Sequence, residues 1–162
     1  MQFQTATQHA QLPLFASFNT SVSPAVSVVR KASPETATNA SDFFSEISLQ
    51  GSEHQCLHLL APMLRALSEE QGERWLTFIS PPAALTQQWL RDAGLNRERI
   101  LILRPSGLQS SQELACEALR LGKSHTVISW LNPLVPSAQR KLIRAARLGE
   151  SQSLNIKHPF SI

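Results

Sequence analysis

Trp75-Leu76-Thr77-Phe78-Ile79, followed by Ser80-Pro81-Pro82, is the stretch that decides the fold. Five residues dominated by β-branched and aromatic types, halted by prolines that cannot donate to a ladder, predict a short buried strand. Trp75 alternates with Leu76 and is expected in the core. Downstream, Leu85 to Ala93 reads as a helix closing on Gly94, and Ile100-Leu101-Ile102-Leu103 is an apolar run of strand length. Ser110 to Glu113 has the capping-box pattern, in which a hydroxyl and a carboxylate three residues apart satisfy the first free backbone donors of a helix. The helix should run from Leu114 to Leu121 with Gly122 as its carboxy cap, and Thr126 to Trp130 is the next strand. Pro136-Ser137 opens a last helix through Leu148, closed by Gly149. Leu154-Asn155-Ile156 then alternates as an edge strand would.

Upstream, Phe43 to Leu49 gives the first strand, and Ser52-Glu53-His54-Gln55 is a second capping box. Leu57, Leu60, Leu64 and Leu67 recur at spacings of three and four, so a helix to about Glu70 can bury one stripe. Pro62 is expected to kink or shorten it. Strands thus alternate with helices throughout. Because parallel strands need crossovers, this order predicts a three-layer α/β domain with a mostly parallel sheet over residues 41–162. Residues 1–40, rich in Ser, Thr, Ala and Gln and without sustained periodicity, are expected to be a mobile tail.

The 162 residues suffice for one core. Cys56 and Cys116 both sit in apolar helical patterns and read as free core thiols. Neither a signal sequence nor a span long and apolar enough for a bilayer is visible, so a cytoplasmic protein is expected. Charge is uneven: Met1 to Glu73 holds 3 Lys/Arg against 7 Asp/Glu, and Arg74 to Ile162 holds 12 against 5. The basic half suits an acidic partner surface.

A parallel sheet invites a nucleotide, which makes Gly122-Lys123-Ser124 worth weighing as the end of a P-loop. The position five residues before Gly122 is Glu117 rather than glycine, and the tripeptide follows a helix and precedes a strand, the reverse of the order that aims backbone N–H groups at phosphate. A helix cap followed by a solvated lysine explains it better. His54 and His58 form an i,i+4 pair without a second ligand cluster. No nucleophile elbow or carboxylate pair is present. The expectation is therefore a protein without catalytic site, cofactor or metal.

What remains are residues suited to contact. Arg74 and Trp75, Trp89, Arg91, Arg97, Arg99 and Arg104 cluster around the central strands, and Arg and Trp are enriched at the energetic centres of protein interfaces, although Trp75 also fits the core reading above. In the amino-terminal segment Gln11-Leu12-Pro13-Leu14-Phe15 resembles the short peptide that docks bacterial proteins on the replication sliding clamp. It supports a second reading: a DNA-damage accessory protein that binds the clamp or DNA.

Glu73-Arg74-Trp75, the segment Leu85-Thr86-Gln87-Gln88-Trp89-Leu90-Arg91-Asp92-Ala93-Gly94-Leu95, Cys116 to Gly122, His125 to Leu131, and Leu154 to His158 together resemble the SulA family of SOS-induced cell-division inhibitors. The resemblance covers roughly Phe43 to His158 and lies in the ordered series of segments. It implies a RecA-like domain without a functional P-loop, and an action by binding FtsZ, the GTPase of the division ring, so that it cannot polymerise or hydrolyse GTP. Of the contact residues, it places Arg74, Trp89 and Arg99 at positions that matter for inhibition; Arg99 replaces the lysine of the enterobacterial pattern. The family further suggests a homodimer, which the sequence itself leaves open, and turnover by the Lon protease, although the chain ends Pro159-Phe160-Ser161-Ile162 in place of a histidine-bearing tail; a nucleic-acid partner is not expected.

Overall fold

Parallel neighbours in a sheet need crossover connections, and the helices supply them here for five strands. The computed structural model describes residues 42–70 and 72–158. Their order is β1 (Phe44–Ser48), α1 (Glu53–Ser68), β2 (Trp75–Ile79), α2 (Gln87–Asp92), a 3-10 turn (Arg97–Arg99), β3 (Ile100–Leu103), α3 (Ser111–Arg120), β4 (Ser124–Ser129), α4 (Pro136–Leu148) and β5 (Gln152–Lys157). The sheet has the spatial order β1-β5-β4-β2-β3, with every pair parallel.

Alternate side chains of each strand enter different cores. Leu76, Phe78, Ile128, Leu154 and Ile156 meet α1 and α2 through Leu57, Leu60, Leu64 and Leu90. Ile79 and Val127 meet α3 and α4 through Ala115, Leu119, Leu142 and Ala146. This is a sheet with helices on both faces.

Both capping boxes form. Ser52 pairs with Gln55 and Ser110 with Glu113, each closing the first turn of its helix. Three expectations need correction. Helix α1 runs unbroken through Pro62, which lies on an exposed turn where the carbonyl it leaves unpaired can reach water. Helix α2 begins at Gln87 rather than Leu85 because the Thr86 hydroxyl accepts the Trp89 N–H at 3.1 Å, which makes Thr86 the cap. Strand β5 is internal, lying between β1 and β4. Its alternation misleads because its polar residues, Ser153 and Asn155, are buried. The Asn155 amide donates to Glu46 Oε2 and to the Leu131 carbonyl, both at 3.1 Å, and its oxygen accepts from Leu131 N–H at 2.9 Å and Ser129 Oγ at 3.2 Å.

Gly122-Lys123-Ser124 lies between α3 and β4, and Gly122 adopts φ +65° just beyond the α3 cap. A Cβ there would sit 2.9 Å from the Gly149 carbonyl oxygen, and one on Gly149 would sit 1.7 Å from that of Leu119. These glycines let the carboxyl ends of α3 and α4 touch. Cys56 and Cys116 are buried and unbridged.

Candidate functional site

The two ends of the sheet differ in kind. At the carboxyl ends of the strands a crevice of about 420 Å³ is lined by Leu49, Glu53, Cys56, Leu57, Ser80, Pro82, Trp130, Ile156 and His158. This is where sheets of this type hold ligands. The connection from β1 to α1 is only Leu49-Gln50-Gly51-Ser52, the capping box already occupies the first donors of α1, and Glu53 adds a carboxylate to its first turn. Phosphate would meet negative charge and few free N–H groups there. Trp130 packs edge-on against Phe78, with 5.8 Å between ring centroids. Among the described residues no three His, Cys, Asp or Glu side chains gather as a metal site, and His54 and His58 are both exposed on α1.

At the amino ends of β2 and β3 the register places Leu76 opposite Ile100, so Arg74-Trp75 and Arg99 lie side by side where the two strands begin. Arg74 Nη1 donates to the Glu150 carbonyl at 2.7 Å, and Arg99 donates to that of Gly72. Each guanidinium is tied at one edge by a backbone acceptor while the residue stays exposed. Trp75 is 41% exposed, which corrects its expected place in the core. It shares a sheet face with Leu101, itself 40% exposed, beyond the area that α3 covers.

The other expected contact residues divide. Arg97 is exposed on the 3-10 turn beside Arg99, and Arg91 is exposed on α2, where it donates to Gln88 Oε1 at 2.8 Å. Trp89 is half-buried against the core under α2, so much of its surface serves packing. Arg104 lies at the opposite end of β3, donating to the Pro81 carbonyl at 3.2 Å, and does not join the group. Arg65, which sequence reading did not single out, donates from Nε to the Ala93 carbonyl at 2.9 Å and fixes the end of α2 against α1.

His125 sits at this end too, half-buried, with Nδ1 3.1 Å from Glu70 Oε2 and 3.0 Å from Thr126 Oγ1. Burial pushes its pKa below the ordinary value; Glu70 opposes that shift and Arg74 reinforces it. Desolvation outweighs the carboxylate, so the ring is neutral at neutral pH and the Glu70 contact is a hydrogen bond rather than an ion pair. The Gln11–Phe15 peptide and the Pro159–Ile162 end lie outside the described residues.

The family model of the cell division inhibitor SulA matches residues 42–153. A cell division inhibitor SulA from Pseudomonas aeruginosa is 52% identical over 159 residues, spanning 97% of this chain and 99% of that protein. One from Yersinia pestis is 30% identical over 115 residues, 71% of this chain and 67% of that one. The crystal structure of SulA from Pseudomonas aeruginosa superposes with a TM-score of 0.68 at 62% identity, covering 71% of this chain and 97% of that one. The alternating α/β pattern, the parallel sheet and these matches agree: the chain belongs to the SulA family of cell division inhibitors.

Proposed function

We propose that this chain inhibits division by binding FtsZ and blocking its polymerisation, and with it the GTP hydrolysis that assembly permits. The observation that carries the reading is the side-by-side presentation of Arg74, Trp75 and Arg99 at the amino ends of β2 and β3, in a chain of a cell division inhibitor family. Arg and Trp are the side chains that most often anchor interfaces, and Arg97 and Arg91 extend the same surface. Trp89 supports it from beneath by holding α2 on the core. Occlusion needs no chemistry from the inhibitor. It needs a patch of about 800 Å² on each partner, centred on a few anchors.

The same reading takes the sheet as a RecA-like architecture that no longer serves a nucleotide. The short β1-to-α1 connection, the carboxylate at the start of α1, and the position of Gly122-Lys123-Ser124 after a helix all support it. Induction in the SOS response, a cytoplasmic site of action, dimerisation and turnover by Lon belong to this proposal by family analogy. The test is light scattering of FtsZ with GTP: stoichiometric addition of this protein should suppress the rise in scattering, and an unchanged rise would refute the proposal.

A further inference from the structure

The layer of α3 and α4 carries charge that the surface at the strands' amino ends does not use. Helix α4 holds Arg140, Lys141, Arg144 and Arg147 with no acidic residue between Pro136 and Leu148. Lys141, Arg144, Ala145 and Leu148 recur at helical spacing and form one stripe, facing a second on α3 made of Gln112, Glu113, Cys116 and Arg120. The helices touch at their carboxyl ends, at Gly122 and Gly149, and a groove of about 420 Å³ runs between the stripes. It is about 12 Å long, from the rise of a helix between positions 112 and 120.

Cys116 and Ala145 are buried and form its floor, while Leu148, 64% exposed, stands at one end. Burial pushes the Cys116 thiol up, with Arg120 and Lys141 only partly opposing, so it is a neutral floor group and no nucleophile. Glu113 is committed to the helix cap, accepting from Ser110 N–H at 2.9 Å and from its hydroxyl at 3.0 Å. Among the described residues no carboxylate forms an ion pair with Arg120, Lys141 or Arg144.

We propose that the α3–α4 groove binds an acidic peptide segment of a partner protein, one that carries an apolar anchor. Three cations on both walls supply the complement to its carboxylates. The apolar floor and the exposed Leu148 supply the seat for its anchor. Single-stranded nucleic acid fits less well, because no aromatic side chain lines the groove for stacking, and duplex DNA, which needs only phosphate contacts, is set against the peptide in the test below.

The experiment is fluorescence anisotropy of the full chain with a fluorescein-labelled acidic peptide, EEDLFEDE. It contains no FtsZ, so its result is independent of the polymerisation assay. The expected result is salt-sensitive binding that weakens about ten-fold or more in the Lys141→Glu, Arg144→Glu double variant. Leu148→Ser should weaken it by about three-fold, since a single exposed apolar contact is lost. Arg140→Glu, the same charge change outside the groove, should leave it within about two-fold. Circular dichroism confirms that each variant folds. No binding to the unaltered chain, or an equal loss with Arg140→Glu, would overturn the proposal. So would tighter binding of a duplex DNA 20-mer that the double variant abolishes.

Discussion

Two tryptophans mark the contrast between the ends of this sheet. Trp130, at the carboxyl ends of the strands, is 8% exposed and locked edge-on against Phe78; Trp75, at the amino end of β2, is 41% exposed beside two arginines. In open parallel sheets ligands bind in a crevice outside the carboxyl ends of the strands. Here Trp130, the capping box of α1 and the Asn155 network pack the carboxyl end around its crevice, while the amino end leaves Arg74, Trp75 and Arg99 exposed. The difference teaches that one sheet can bury its aromatic and polar groups at one end and leave an aromatic ring and two guanidiniums exposed at the other, and it is this exposed end that the proposed function takes as the partner-binding surface.

The sharpest way to break this contrast is to truncate both rings. Trp130→Ala should lower stability by about 3–5 kcal/mol, read as a shift of the urea midpoint, because a buried ring leaves a cavity. Trp75→Ala should cost under about 1 kcal/mol yet weaken inhibition of FtsZ assembly. Equal stability losses would erase the distinction between the two ends.

Asn155→Ala should cost about 2–3 kcal/mol by orphaning the Leu131 N–H and carbonyl and the Ser129 hydroxyl, with inhibition by the folded fraction unchanged. At the amino end, Arg74→Ala or Arg99→Ala should weaken inhibition about ten-fold while leaving circular dichroism unchanged, since both residues are exposed. Loss of fold in either would reassign that arginine to structure.

The smallest effect is one of pH. Because His125 is held neutral, with a pKa below its ordinary 6.5, its contribution is complete above that value. It is lost as the pH falls through 6.5 toward the lower folded value, where the unfolded chain takes up the proton first. Denaturation at about pH 7.5 and about pH 5.5 should show a stability loss that His125→Gln reduces.

Local signals in the sequence carried far. Ser52 with Gln55, Ser110 with Glu113, and Gly122 and Gly149 after their helices identified helix ends from hydrogen-bonding chemistry confined to a few residues. What depends on distant neighbours was not legible. The polar–apolar alternation of Leu154-Asn155-Ile156 reads as an edge because nothing nearby reveals that Asn155 will be satisfied by Glu46, Ser129 and Leu131. Trp75 reads as core because a strand's period separates its two faces without saying how far a covering helix extends. The candidate site was legible as residue types, Arg74, Trp89, Arg91, Arg97 and Arg99, but not as a place. Only the pairing of Leu76 with Ile100 brings Arg74 and Arg99 together.

The most direct measurement of the central claim is hydrogen–deuterium exchange of this chain alone and saturated with FtsZ. Protection should appear in the amides of residues 72–75 and 89–99, at the amino ends of β2 and β3. Protection confined instead to residues 49–53, 80–85 and 130–133, around the carboxyl-end crevice, would contradict the account.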